Sequence, residues 1–219
     1  TLRILPALVL LAAPVFARAV EPPLPPPPQL EATAWVLVDQ SSGQALAGHR
    51  AVQTAFQAGL SEFEMGLMFL AACGQTDAEL PYPAIVAMNR NAATLHYQHR
   101  DRERLPASER HSLLLDAGAS FAGYASDITR THAARRGEFA TMLRDMARTQ
   151  QSLCAQVKPG VSFPELQLGE FTALAELLAR WGLVRMSAAE IVEARIVDSF
   201  MPHGLGHLLG LQVHHVGGD

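Results

Sequence analysis

The 219-residue chain is poor in several things, and each scarcity excludes a class of protein. It has 2 cysteines, Cys73 and Cys154, too few for a disulfide-built scaffold, although one bridge is arithmetically allowed. Lysine occurs once, at Lys158, and Lys+Arg 17 against Asp+Glu 21 gives a net charge of -4. No broad cationic face is available for nucleic acid. Long apolar runs are also missing. The stretch from Ile4 to Phe16 is broken by Pro6 and Pro14, and it falls short of the roughly 20 residues that a bilayer demands. What is present is ordinary for a folded chain: 49% hydrophobic and 17% charged residues rule out a disordered polymer. The length fits one or two domains with a core.

Residues 1–19 place Arg3 ahead of an apolar core and close on Ala17-Arg18-Ala19, the layout of a secretory signal peptide. A buried N-terminal helix is the alternative. Residues 20–48 open with a proline run, Glu21 to Pro28, that favours an extended spacer; a ligand for an SH3-like domain is the other reading. From Ala34 the chain reads AWVLVDQSSGQALAG, which predicts a short hairpin: a strand from Trp35 to Val38, a turn at Gln40 to Gly43, then a second strand. Residues 1–48 resemble the start of the penicillin-binding D-Ala-D-Ala carboxypeptidases, which implies a periplasmic or secreted location. That serine chemistry needs Ser-x-x-Lys and Lys-Thr-Gly motifs, and neither occurs.

Beyond His49 the pattern is α+β. Arg50 to Ala58 reads as a helix closed by Gly59, and Ser61-Glu-Phe-Glu64 is a capping box opening a helix to about Cys73. Strands are expected at Ala84 to Met88, Ala93 to Tyr97, Ser112 to Asp116, Ala122 to Ala125 and Ile128 to Ala133. Glu138 to Val157 has helical spacing. Ser162-Phe-Pro-Glu165 and Ser187-Ala-Ala-Glu190 cap two more helices, the first running to Trp181, and Leu209 to His215 is a last strand candidate.

Two features carry chemistry. Asp116 and Asp127 sit at the edges of apolar strand patterns, with Gly118 and Gly123 between them to reverse the chain. A hairpin of that length can set the two carboxylates side by side, where they repel unless a proton or a metal intervenes. Two solvated turn aspartates are the plainer alternative. In the second feature, 4 of the 9 histidines fall between His203 and His215, among Gly204, Gly206 and Gly210. Neutral imidazole ligates divalent metals and exchanges protons near neutrality. Carboxylates mixed with imidazole favour harder ions such as Mn²⁺ or Co²⁺ over a thiolate zinc site.

Together LLLDAGASFAGYASDITRT, ELPYPAIVAMNRNAATLHY and PHGLGHLLGLQVHHVGG resemble the M24 metallopeptidases of the Xaa-Pro dipeptidase type, over 171 of the 219 residues. The separations agree too, eleven positions from Asp116 to Asp127 and seven from His207 to His214. The resemblance implies a pita-bread fold, an antiparallel sheet flanked by helices, over residues 49–219. It implies a site for two divalent metal ions, Mn²⁺ before Co²⁺ or Zn²⁺. Asp116 and His207 would each ligate one ion and Asp127 would bridge them. His96, His203 and His214 would act on a dipeptide substrate ending in proline, and Arg130 either positions Asp127 or is a surface arginine. It also implies a cytoplasmic location, leaves a homodimer open, and involves neither nucleic acid nor, once the leader is removed, a membrane. The family adds two glutamates beyond the histidine cluster, where this sequence has ended at Asp219, and usually has Asp where His215 stands. Impaired hydrolysis and a loosely folded product are therefore expected. The alternative is a binding module that keeps the fold without its metals.

Overall fold

Ala45, Gly48, His49, Val52, Ala55 and Phe56 recur at helical spacing, and all six are buried along one face of α1 (Gln40–Ala58). The computed structural model of the chain describes residues 40–214. Its first element corrects the expected hairpin. The turn at Gln40 to Gly43 and the strand after it are the first turns of α1. An apolar stripe of period 3.6 outweighs a local turn signal once it has a partner to cover it. The strand expected at Trp35 to Val38, the proline run and the leader-like segment lie outside the described residues.

α1 packs on α2 (Glu62–Cys73), whose Ser61–Glu64 capping box forms as the sequence predicts. The two helices meet closely: a Cβ on Gly48 would stand 2.5 Å from the Phe69 ring. Beneath them lies a three-stranded antiparallel sheet in the order β1 (Ile85–Met88), β2 (Ser112–Asp116), β5 (Thr129–Ala133). β1 is buried on both faces and reads as a continuous apolar run, Ile85-Val-Ala-Met88. In β2 the buried Leu113 and Leu115 alternate with Ser112, Leu114 and Asp116. Val52, Phe56, Met65, Phe69, Val86, Leu113 and Leu115 form the main core between helices and sheet.

Three further strand expectations need correction. Ala93 to Tyr97 does not extend; Asn89–Ala93 is a 3₁₀ turn and the chain then loops to Asp101. Asn89 and His96 adopt φ of 51° and 53°, which no strand accommodates. The Asn89 side-chain oxygen is held by the backbone N–H groups of His111 and Ser112. Leu209 to His215 is likewise no strand. Leu208 makes an isolated bridge, Ala125 donates to the Gly210 carbonyl, residues 210–214 bend, and His215 lies outside the described residues. Between β2 and β5, β3 (Ser120–Phe121) and β4 (Tyr124–Ala125) form a hairpin, so the strand expected at Ala122 to Ala125 keeps only its last two residues. Its central residues Ala122 and Gly123 both have positive φ, as a two-residue reversal matched to strand twist requires.

The remaining helices follow their sequence signals. α3 (Glu138–Gln156) packs against β5 and against α4 (Phe163–Arg180). α5 (Ala188–Glu193) closes a second, smaller core of Leu174, Ala175, Leu178, Ile191 and Val197. The Ser162 and Ser187 capping boxes both form. Cys73 and Cys154 are free thiols, one buried and one exposed, so the arithmetically allowed bridge is absent. No described helix is long and apolar enough to cross a membrane.

Candidate metal centre

The register of the sheet brings the acidic pair together. β2 ends at Asp116, which stands opposite Ile85 on one side and Thr129 on the other. The β3–β4 hairpin then returns the chain so that Asp127 arrives just before β5, and the Ala117 N–H donates to the Ile128 carbonyl. The reversal needs Gly118: a Cβ there would lie 1.8 Å from the Ser126 carbonyl oxygen. Both carboxylates therefore reach one point, and Tyr82 stands at it. The Tyr82 hydroxyl is 2.7 Å from Asp116 Oδ1 and 2.7 Å from Asp127 Oδ1.

One hydroxyl carries one hydrogen. Two contacts of that length to acidic oxygens need a second proton, which one of the carboxyls supplies. Asp116 is suited to hold it. Burial pushes its carboxyl above the usual range, and the Asp127 charge adds to the rise, against the lowering effects of the Tyr82 and Thr129 hydrogen bonds and the His96 charge. The phenol stays protonated, because burial and then the Asp116 charge drive its ionisation far upward.

The imidazoles fall into two groups. His207 Nε2 is 3.1 Å from Asp127 Oδ2, the oxygen that Tyr82 does not use. His214 stands edge-on to His207 with ring centroids 4.3 Å apart. His96, exposed on its loop, lies close enough for its charge to act on Asp116. His203 is set elsewhere. Its Nδ1 contacts the Gly204 carbonyl, its charge acts on Glu170 of α4, and the adjoining Leu205 N–H donates to Gln167 Oε1. Arg130 follows the surface alternative: its guanidinium is exposed and donates to the Thr129 carbonyl, without a contact to Asp127.

Among the described residues no three His, Cys, Asp or Glu side chains are gathered closely enough to hold one metal ion. The donors are instead chained, Asp116 to Tyr82 to Asp127 to His207. The chemistry of that set nevertheless fits a divalent ion. Two hard carboxylate oxygens already converge on a position filled by a third oxygen, and an imidazole nitrogen flanks it. Asp116, Asp127 and His207 are the residues that would hold such an ion.

Tyr82 is the partner that the sequence pattern did not reveal. A usable signal was there: Pro81 and Pro83 flank it, and they extend the chain immediately before a strand that pairs with the Asp116 strand. Also unforeseen is His49, buried in α1, whose Nε2 contacts the Ala117 carbonyl beside Asp116.

Comparison with known proteins places the chain in a family. The profile of metallopeptidase family M24 matches residues 37–218. An Xaa-Pro dipeptidase of Aeromonas hydrophila is 50% identical over 171 residues, 78% of this chain and 39% of that protein. One from Shewanella amazonensis is 47% identical over 174 residues, 80% of this chain and 39% of that protein. Among solved structures, Pseudomonas aeruginosa aminopeptidase PepP superposes with a TM-score of 0.68 at 26% identity, covering 82% of this chain and 41% of that one. Zn-substituted Escherichia coli aminopeptidase P in complex with product gives 0.64 at 25% identity, covering 80% and 42%. The chain thus spans about two-fifths of the relatives it matches. The shared architecture is the pita-bread fold, helices around an antiparallel sheet, with a dinuclear divalent-metal site implied. By profile, identity and fold together, this chain belongs to the metallopeptidase family M24.

Proposed function

We propose that this chain carries part of the catalytic site of a metal-dependent hydrolase of Xaa-Pro dipeptides. The observation that carries the proposal is the convergence of Asp116 Oδ1 and Asp127 Oδ1 on one point 2.7 Å from each, with His207 on the outer oxygen of Asp127. Asp116, Asp127 and His207 would hold the metal, with Mn²⁺ preferred and Co²⁺ or Zn²⁺ in the same class. A divalent ion bound there would supply Lewis-acid activation of water and of the scissile carbonyl.

The rest of the work belongs to side chains. The substrate bond is a tertiary amide with no N–H to donate, so binding relies on the ring and the free carboxylate of proline. His214, held edge-on to His207, offers an N–H toward the substrate carbonyl, where developing negative charge is stabilised. His96 lines the substrate side of Asp116. His203, at present beside Glu170, assists only if the segment bearing it swings inward on substrate binding.

Calorimetry with Mn²⁺ tests the proposal. Heat from the wild-type chain that disappears in Asp127→Ala, together with Mn²⁺-dependent release of proline from an Xaa-Pro dipeptide, supports it. No heat from either chain overturns it in favour of a binding module on the same fold.

A further inference from the structure

The loop that carries His96 makes no regular structure of its own. Between the 3₁₀ turn Asn89–Ala93 and Asp101 the chain is neither helix nor strand, and His96 and Arg100 sit at φ of 53° and 52°. Side chains other than glycine disfavour that conformation, so an outside anchor must impose it.

The anchor is one acid on another element. Glu62, the first residue of α2, is 0% exposed. Its Oε1 accepts from the Met88 N–H at 2.6 Å and from Asn91 Nδ2 at 2.9 Å. Its Oε2 accepts from the Tyr97 hydroxyl at 2.7 Å and from the Asp101 N–H at 2.8 Å. Those donors come from the end of β1, the 3₁₀ turn, and the loop on either side of His99. Asn91 Nδ2 ties the loop a second time, lying 3.0 Å from Tyr97 Oη and 3.0 Å from Asp101 Oδ2.

A carboxyl group is expensive to bury, and all the acceptor capacity of Glu62 is spent on this loop and its approach. Capping α2 does not explain it, because Ser61 and Glu64 already do so. The clamp sits immediately beside His96, since Tyr97 is the next residue.

We infer that Glu62 is a positioning residue of the candidate site: through Tyr97 and Asp101 it fixes the left-handed turn at His96, on the loop that follows the strand paired with the Asp116 strand. The purpose of the clamp rests on the peptidase reading; its existence does not.

The Tyr97→Phe variant removes one hydroxyl and leaves the packing in place, and Glu62→Gln removes the acceptor itself. Hydrogen exchange of residues 94–101 and paramagnetic broadening of the His96 ring by Mn²⁺ are the readouts. In Tyr97→Phe, exchange of the loop rises about tenfold, the factor for one lost hydrogen bond to a charged acceptor, while amides of β2 and β5 are unchanged. Mn²⁺ broadens the His96 signals in the wild-type chain and broadens them less in the variant, at unchanged Mn²⁺ affinity. Glu62→Gln moves both readouts further, provided it folds. Unchanged loop exchange in Tyr97→Phe, an equal rise in β2 and β5, or wild-type His96 signals untouched by bound Mn²⁺ would each overturn the inference. A wild-type chain that binds no Mn²⁺ overturns the peptidase reading instead, and the exchange experiment then decides the clamp alone.

Discussion

His207 Nε2 meets Asp127 Oδ2 at 3.1 Å across eighty residues of chain, while the other oxygen of Asp127 shares the Tyr82 hydroxyl with Asp116. The two oxygens of one carboxylate thus serve two partners. That is the geometry of a residue able to bridge, and it makes Asp127 the hinge of the candidate centre.

Removing the imidazole tests the outer arm of that bridge. His207→Ala should weaken Mn²⁺ binding by at least the roughly 10–100-fold that loss of a supporting partner costs at metal sites. The His207 side chain is 37% exposed, so the urea midpoint of the metal-free chain should stay where it was. A wild-type Mn²⁺ affinity in this variant, read by calorimetry, would remove His207 from the ligand set.

Tyr82→Phe tests the inner arm. Without metal, the phenol holds two acidic groups that otherwise repel, and its loss should lower unfolding free energy by about 1–3 kcal/mol. Mn²⁺ takes the same carboxylate oxygens, so its affinity should not fall. Urea unfolding with and without Mn²⁺ reads both effects. An unchanged midpoint without metal contradicts the role assigned to the hydroxyl.

Backbone clearance sets a third expectation. A Cβ on Gly118 would stand 1.8 Å from the Ser126 carbonyl oxygen, whereas one on Gly123 meets nothing nearer than Leu211 at 3.8 Å. Gly123 has φ of 84°, so alanine there costs about 1–2 kcal/mol of backbone strain. Gly118→Ala should cost more, at least the roughly 1–3 kcal/mol of an overpacked core, and it should also disrupt the acidic pair. Equal urea midpoints for the two variants would contradict this.

Stability should also depend on pH through two histidines beneath the candidate centre, His49 and His132. Burial depresses the pKa of His49, with the Arg130 charge adding to it and the Ala117 and Ile128 carbonyls opposing it. Burial depresses His132 as well, followed by the charges of His49 and Arg130. The unfolded chain takes up these protons near pH 6.5 while the folded chain resists them. The stability they contribute is therefore present above that pH and lost below it, with a slope of up to about 1.4 kcal/mol per pH unit for each histidine. Unfolding free energies between pH 7.5 and 5.5 should fall, and His49→Gln should flatten the curve. A wild-type profile flat over that range would exclude the mechanism.

The parts of the fold legible in sequence were those decided within a few neighbouring residues. Capping boxes at Ser61, Ser162 and Ser187 formed because a cap is satisfied by atoms three residues away. β2 appeared at its expected bounds because its alternation is local. The expectations that failed were those settled at a distance. The turn signal at Gln40 to Gly43 lost to an apolar stripe whose partner, α2, lies further along the chain. The strand at Ala93 to Tyr97 lost to Glu62, whose donors arrive from residues up to 39 positions away. The candidate site divides in the same way. Asp116 and Asp127 could be paired by residue type and spacing, and His207 was singled out of its cluster by the family resemblance, whereas Tyr82 and the placement of His203 beside Glu170 could not be read.

By itself the sequence determined the kind of chemistry available: carboxylates and imidazoles at family spacing, no lysine-dependent nucleophile, and no cationic face. Only tertiary structure decided which oxygen meets which partner. The β1–β2–β5 register sets Tyr82 between the two aspartates, and the His207 contact spans eighty residues. Side-chain type is a property of one position. A 3 Å contact between distant positions exists only after the core has closed and its ordering entropy has been met by burial.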